Sequence, residues 1–305
     1  MNIKILTHIM PWDIDYALLM FTQLKKASYY LSPDDKIYID STLNLSNSII
    51  DWDTSKLPKD FFIEKYKTIS HLLDWSTHTP FIYDGDEIYG HLDSQRNQVS
   101  PHIDYYISIC PDMYFHEHLL FYLIESAKTI NDDYFIITPQ IYKMWDSTWD
   151  HLTHPKYKNI PHNEWDKGDI FDIINFTNNN PELSSLKEIY DFKWAGWFDM
   201  YSKKFVEDLV PILDEWKGYG PWDWYGMMLS DKIRKEGLSI KEYILENQII
   251  FEYQTGVLKN DNFSSYYRNN ITIKNDGPNQ RQVFESKMNE YLQKGYQMIK
   301  DKKII

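Results

Sequence analysis

Four carboxylates stand where the chain breaks out of an apolar run. Asp13 follows Pro11 and Trp12 after Ile3 to Ile9. Asp40 closes the run that starts at Lys36. Asp112 follows Pro111 after the continuous stretch Asp104 to Cys110. Asp223 lies inside the aromatic run Gly220-Pro221-Trp222-Asp223-Trp224-Tyr225, at the start of a helical pattern. In open α/β sheets, ligands collect where strands end and helices begin. A carboxylate at such an end suits a hard divalent cation that bridges a diphosphate, because Mg²⁺ and Mn²⁺ prefer oxygen and often use only one or two protein carboxylates. The plainer reading of Asp112 and Asp223 is a helix N-cap, and that of Asp40 is a strand-end turn.

Other clusters carry less. Asp84-Gly85-Asp86 is an Asp-x-Asp triplet, but Asp-Gly between Phe81-Ile82-Tyr83 and Glu87-Ile88-Tyr89 is a hairpin signal. His116-Glu117-His118 lacks the i, i+4 spacing of a zinc helix and reads as a capping turn or surface. His151, His154 and His162, with Asp150, Glu164 and Asp166, read as a polar loop. No glycine-rich dinucleotide motif, P-loop or Gly-x-Ser-x-Gly elbow is present. The single cysteine, Cys110, excludes an intramolecular disulfide framework and a cysteine zinc site.

The elements that must position these residues alternate. Strand patterns at Ile3 to Ile9 and Lys36 to Asp40 enclose a helix from Asp15 to Ala27, and a second helix spans Phe61 to Trp75. Asp104 to Cys110 is too apolar to have one wet face, which fits a strand covered on both sides. A helix from Met113 to Ile130 and a strand from Tyr134 to Thr138 complete a βαβ crossover. The pattern dissolves between Trp145 and Tyr190. It returns with Phe192 to Met200, helices at Lys203 to Leu213 and Asp223 to Glu236, strand-like runs from Ile240 to Tyr253, and an amphipathic helix from Asn279 to Lys303. The predicted fold class is α/β: a mostly parallel, Rossmann-like sheet flanked by helices, residues 1–255 forming one domain and 256–305 a C-terminal helical extension packed on it.

With 305 residues and a net charge of −13, the chain is long enough for a sizeable core and too acidic to grip nucleic acid by its phosphates. The N-terminus lacks the regions of a signal peptide and no apolar run reaches membrane-helix length, so the expected location is cytoplasmic. Lys300 to Lys303 offers a peripheral membrane contact, although lysines also suit a helix C-terminus. Aromatic residues make up 16% of the chain, and part of that excess is gathered at Trp145 to Trp165 and Trp194 to Tyr225. Flat rings there can stack on a base or a sugar.

In order and spacing, residues 1 to 255 resemble GT-A glycosyltransferases, especially family 2-like enzymes. The resemblance is carried by the opening Ile3 to Leu24, by Gly90-His91-Leu92-Asp93-Ser94-Gln95-Arg96-Asn97, by Asp104 to Leu120, by Ala195-Gly196-Trp197-Phe198 with Tyr201 to Phe205, and by Trp222 to Tyr225 with Asp231 to Gly237. It implies a transfer of sugar from a nucleotide-diphosphate donor to a hydroxyl acceptor, such as a glycan. Under it, Pro11, Trp12, Asp13, Asp40, Arg96 and Asp112 face the nucleotide-sugar, Asp223 is the catalytic base, and Trp197, Trp222, Trp224 and Tyr225 hold the acceptor. The family's metal motif is Asp-x-Asp. Here Cys110-Pro111-Asp112 stands in its place, so only Asp112 carries over as a ligand for Mn²⁺ or Mg²⁺. A metal-independent enzyme and an inactive domain that binds a glycan or nucleotide are the alternatives this departure raises.

Overall fold

The computed structural model describes residues 1–47, 50–52, 57–86, 100–143, 146–167, 170–179, 184–190, 196–210, 222–253, 272–273 and 278–305. β1 (Asn2–Ile9) leads through a 3₁₀ turn at Pro11–Asp13 into α1 (Ile14–Ser28). Pro11 suits the first position of that turn, where its missing N–H costs nothing. β2 (Lys36–Asn44), β3 (Ile50–Asp51), α2 (Lys59–Ser70) and β4 (Thr77–Tyr83) follow. Then come β5 (Tyr105–Ile109), β6 (Met113–Tyr114), α3 (Leu119–Thr129) and β7 (Phe135–Ile141). The later elements are α4 (Ile170–Asn179), β8 (Leu186–Ile189), β9 (Phe198–Ser202), α5 (Trp222–Lys235), β10 (Lys241–Glu252), β11 (Thr272–Ile273) and α6 (Pro278–Asp301).

The main sheet runs β4-β2-β1-β5-β9-β7-β10-β6, with β8 on β10. β4, β2, β1 and β5 are mutually parallel, as are β7 and β10. β9 lies antiparallel between β5 and β7. The expected crossover from β5 through a helix to a parallel strand is therefore present, but β9 is wedged between its two strands. No helix among the described residues is long and apolar enough to cross a membrane.

Strand register and the alternation of side chains sort the sheet into two faces. On one lie Ile3, Ile5, Ile9, Ile37, Ile39, Leu43, Ile107, Ile109, Phe198 and Met200, buried with Phe21 and Leu24 of α1, Phe62 of α2 and Leu123 of α3. The other face is mixed, with Leu6 in register between Asp40 and Ser108. There Leu6, Tyr106, Ile136 and Tyr201 pack on Phe205 and Leu209 of a π-helical turn, Leu229 and Ile233 of α5, and Met288 and Ile299 of α6. The helices α5 and α6 touch closely: a Cβ at Gly295 would collide with the Tyr225 hydroxyl. From the level of Leu6 to the C-terminal ends of the parallel strands the same face carries Asp40, Thr42, Asn44, His8, Ser108, Asp199 and Thr138, all buried.

Three expectations change, and a fourth, the hairpin at Asp84-Gly85, falls in part outside the described residues. The helix predicted from Met113 starts at Leu119, because Met113–Tyr114 pairs as β6 with Phe251 and Glu252 at the end of β10. Asp84-Gly85-Asp86 follows β4, which runs parallel to β2, while Glu87-Ile88-Tyr89 lies outside the described residues. The stretch that looked patternless holds 3₁₀ turns at Ser147–Trp149, Pro155–Tyr157 and His162–Lys167, then α4 and β8. Of the helix expected from Lys203 to Leu213, a π-helical turn at Phe205–Leu209 is described.

Candidate functional site

The parallel strands β1, β2, β4 and β5 deliver Met10 to Asp13, Asn44 to Ser46, Asp84 and Cys110 to Asp112 to one edge of the sheet. Backbone bonds tie that edge together. Leu45 N–H donates to Tyr83 O at 2.8 Å, Cys110 N–H to Trp197 O at 2.8 Å, and Tyr253 N–H to Asp112 O at 2.7 Å. Gly196 precedes Trp197 with φ +76°, a conformation that needs no Cβ. It lets the chain turn into β9 directly beside Cys110.

Asp112 is half-buried in the turn between β5 and β6, seven residues ahead of α3. It is not a helix N-cap, so the plainer reading of this carboxylate does not hold. Asp13 is half-buried at the N-cap of α1, where its side chain makes no capping hydrogen bond. Pro11 and Trp12 are buried beneath it, and the Trp12 ring belongs to the first core.

Asp40 corrects the sequence reading. It does not end β2, which runs on to Asn44. Its carboxylate accepts from Lys4 Nζ at 2.6 Å, with both side chains almost wholly buried. The pair neutralises two charges inside the sheet face, where either alone would be costly. The residue that does end the strand is Asn44.

Asn44 is buried and doubly held. Its Oδ1 accepts from Ser46 N–H at 3.0 Å, and its Nδ2 lies 3.2 Å from His8 Nε2. Farther along the edge, Lys59 Nζ donates to Asn47 Oδ1 at 2.6 Å and pairs with Asp84, and Asn47 Nδ2 donates to Asp86 Oδ1 at 2.8 Å. The Asp84-Gly85-Asp86 triplet is thus engaged by side chains of its own neighbourhood.

Deeper on the polar face, Asp199 is fully buried and accepts from Thr138 Oγ1 at 2.8 Å and Tyr201 OH at 3.3 Å. Ser108 sits directly opposite Asp199 in the register, and its hydroxyl is buried with no hydrogen-bond partner. His8, Asn44, Ser108, Asp199 and Thr138 were not picked out by sequence reasoning. A signal was present: polar residues recur with period two in Asp40-x-Thr42-x-Asn44, and Lys4 and His8 stand four residues apart on one side of β1.

Trp197 is half-buried against the first core at the site edge. Trp224 is half-buried and Tyr225 fully buried in the second core, so the Tyr225 ring packs α5 on α6 and presents no face to an acceptor. Arg96 and the side chains of Trp222 and Asp223 lie outside the described residues, although the backbone places Asp223 in the first turn of α5.

The histidine clusters resolve as structure. His116 Nδ1 accepts from His118 N–H at 3.1 Å, a turn that leads into α3. Burial, reinforced by His118, pushes the His116 imidazole down to about 4. His154 Nδ1 accepts from Lys156 N–H at 3.2 Å, and burial lowers its pKa as well. Lys143, its side chain fully buried, binds Asp150 Oδ1 at 3.2 Å and Lys158 O at 3.1 Å, which fastens the segment after β7. Among the described residues, no group of three or more His, Cys, Asp or Glu side chains gathers as a metal site.

No family model matches the chain, and no curated protein sequence matches it. Solved structures similar to it include S. aureus TarS 1-349 in complex with UDP, at 8% identity and TM-score 0.47, covering 82% of this chain and 60% of that one. The same protein in complex with UDP-GlcNAc aligns at 7% identity and TM-score 0.43, covering 82% and 58%. HddC from Yersinia pseudotuberculosis aligns at 12% identity and TM-score 0.41, covering 87% and 99%. The chain therefore spans less than two thirds of the TarS structures it matches.

Proposed function

We propose that the chain is a glycosyltransferase that moves a sugar from a nucleotide-diphosphate donor to a hydroxyl acceptor. The observation that carries the reading is the placement of Asp112. It is a half-buried carboxylate at the shared end of the parallel strands, in the loop after β5 as the Pro11–Asp13 turn follows the neighbouring β1, and it caps no helix. The sequence resemblance puts the donor at that edge.

In this reading the diphosphate lies across the ends of β1 and β5. A divalent cation, where one is used, takes the Asp112 oxygen in preference to the Cys110 thiol, because Mg²⁺ and Mn²⁺ are hard ions. Asp223 removes the acceptor hydroxyl proton as that oxygen attacks the anomeric carbon, and the bond to the diphosphate breaks with its electrons leaving on the nucleotide. Trp197 and Trp222 line the acceptor side.

Asp223→Asn is expected to lower sugar transfer by about 10²- to 10⁴-fold while nucleotide binding stays intact. A thermal-shift screen of nucleoside diphosphates and nucleotide-sugars, with and without Mn²⁺, tests the site itself. A flat response to every nucleotide overturns it. A second reading, a domain that binds the nucleotide or a glycan without turnover, is favoured by one residue: Cys110 stands where the resembled motif has its first carboxylate. Stabilisation by nucleotide-sugar with no consumption of it, even by hydrolysis, selects that reading.

A further inference from the structure

We propose that Asn247 and Gln140 are positioning residues that set where the Asp112 loop stands. They hold a three-residue bulge in β10, and the chain at the far end of that strand is hydrogen-bonded to the loop. The consequence for a ligand rests on the donor-site reading above. The positioning itself rests on strand register and backbone hydrogen bonds.

The register breaks beside a residue that cannot donate to it. β10 runs parallel to β7 from Lys241 opposite Phe135 to Leu245 opposite Pro139, and resumes with Ile249 opposite Gln140. Pro139 has no N–H to give a ladder. Glu246, Asn247 and Gln248 have no counterparts on β7. Three residues of extended chain span about 10 Å, so without the bulge the end of β10 would overrun its present place by that much. A bulge takes residues out of the ladder, and other groups hold these three. Asn247 adopts φ +64°, a left-handed conformation that asparagine tolerates and a β-branched residue does not. Its N–H donates to Oε1 of the buried Gln140 at 2.7 Å. Glu246 N–H donates to Ser185 O at 2.8 Å, and Gln248 Nε2 to Ser184 Oγ at 2.9 Å.

Beyond the bulge, β10 leads to the Asp112 loop. Tyr142 N–H donates to Ile250 O at 3.0 Å, which keeps the strand on the end of β7. Phe251 and Glu252 pair with Tyr114 and Met113 of β6, and Tyr253 N–H donates to Asp112 O. β6 is two residues long, and among the described residues its strand partner is β10. The loop is therefore slung between two anchors. Trp197 O, just ahead of β9, holds Cys110 N–H on one side, and Tyr253 N–H holds Asp112 O on the other. A shift of β10 moves the second anchor and leaves the first, so it turns Asp112 and does not simply carry it along.

Hydrogen exchange in the full chain reads the second anchor directly. Asn247→Val strains the left-handed residue, and Gln140→Met keeps the side chain's shape while removing the acceptor. Each is expected to speed exchange of the Tyr253 amide by about tenfold, and that of the Ile5 amide in β1 by less than about twofold. Asn247→Gly accepts the left-handed backbone and is expected to leave Tyr253 within about threefold of the wild type. Equal acceleration at Ile5 and Tyr253, or a glycine variant no better protected than the valine one, overturns the proposal. Binding of uridine and guanosine diphosphate with Mn²⁺, followed by calorimetry, supplies the second readout. For whichever binds the wild type, Gln140→Met is expected to weaken it by about fivefold, and by less than about twofold when Asp112→Asn is already present, because both act through one group. Equal losses in the two backgrounds overturn the link to Asp112. If neither diphosphate binds the wild type, the donor-site reading falls and the ligand consequence with it, while the exchange measurement still decides whether the bulge sets the Asp112 loop.

Discussion

The two faces of the sheet are buried to a similar degree and built on opposite principles. Ile5, Ile39, Ile107, Met200 and Ile137 line one face without a polar atom among their side chains. One residue away in each strand, Leu6, Asp40, Ser108, Asp199 and Thr138 line the other. The first face is held by the area it removes from water and by close contact. The second is held by pairing: Lys4 with Asp40, Asn44 with His8, Thr138 with Asp199. A face built by area is sensitive to volume. One built by pairing is sensitive to which partner is lost, because the group left behind is stranded out of water.

That contrast can be broken most strongly at Phe198, which is fully buried and edge-on to Phe115 with ring centroids 4.9 Å apart. Phe198→Ala is expected to cost about 3 to 5 kcal/mol, measured as a fall in the urea midpoint. Lys4→Met on the other face is expected to cost about 3 kcal/mol, because it strands a buried carboxylate. The double change Lys4→Met with Asp40→Leu should recover most of that loss. If the double variant is as unstable as the single, pairing is not what the polar face depends on. Thr138→Val keeps the shape and removes one donor from Asp199. A loss of about 1.5 to 2 kcal/mol is expected, and calorimetry should register it. The smallest effect separates the two principles most cleanly. Ser108→Ala deletes a buried hydroxyl that has no partner, so stability should hold or rise by up to about 1 kcal/mol. A marked loss there would show that the hydroxyl is satisfied in solution.

Much of the first face was legible in the sequence. Ile3-x-Ile5 and Ile107-x-Ile109 are strand signals, and Asp104 to Cys110 was expected to be covered on both sides, as β5 is. The polar face was hidden by that same apolarity, since one Ser or His among isoleucines does not look like a surface. Asp40 reads as a strand end because the apolar alternation stops there, yet β2 runs on to Asn44, and Ser41 is bonded to Tyr66 and His78 at 2.6 and 2.7 Å. Asp112 was placed at a strand end, and there it lies. What separates it from a helix cap is β6, whose pairing with residues about 140 positions later no local pattern encodes. The position of β9 between β5 and β7 was illegible for the same reason.

That position has a consequence for how the molecule is made. While the ribosome has delivered only the first 190 residues, β5 and β7 are both synthesised, and each lacks the neighbour that β9 supplies to it. The sheet cannot close from one end to the other until Ser202 has emerged. β10, which carries β7, β8 and β6, must then follow. Non-local pairings of this kind slow folding and leave strand edges open to other chains. A ribosome-bound fragment ending near residue 190 should therefore be far more prone to aggregate than one ending after Tyr253.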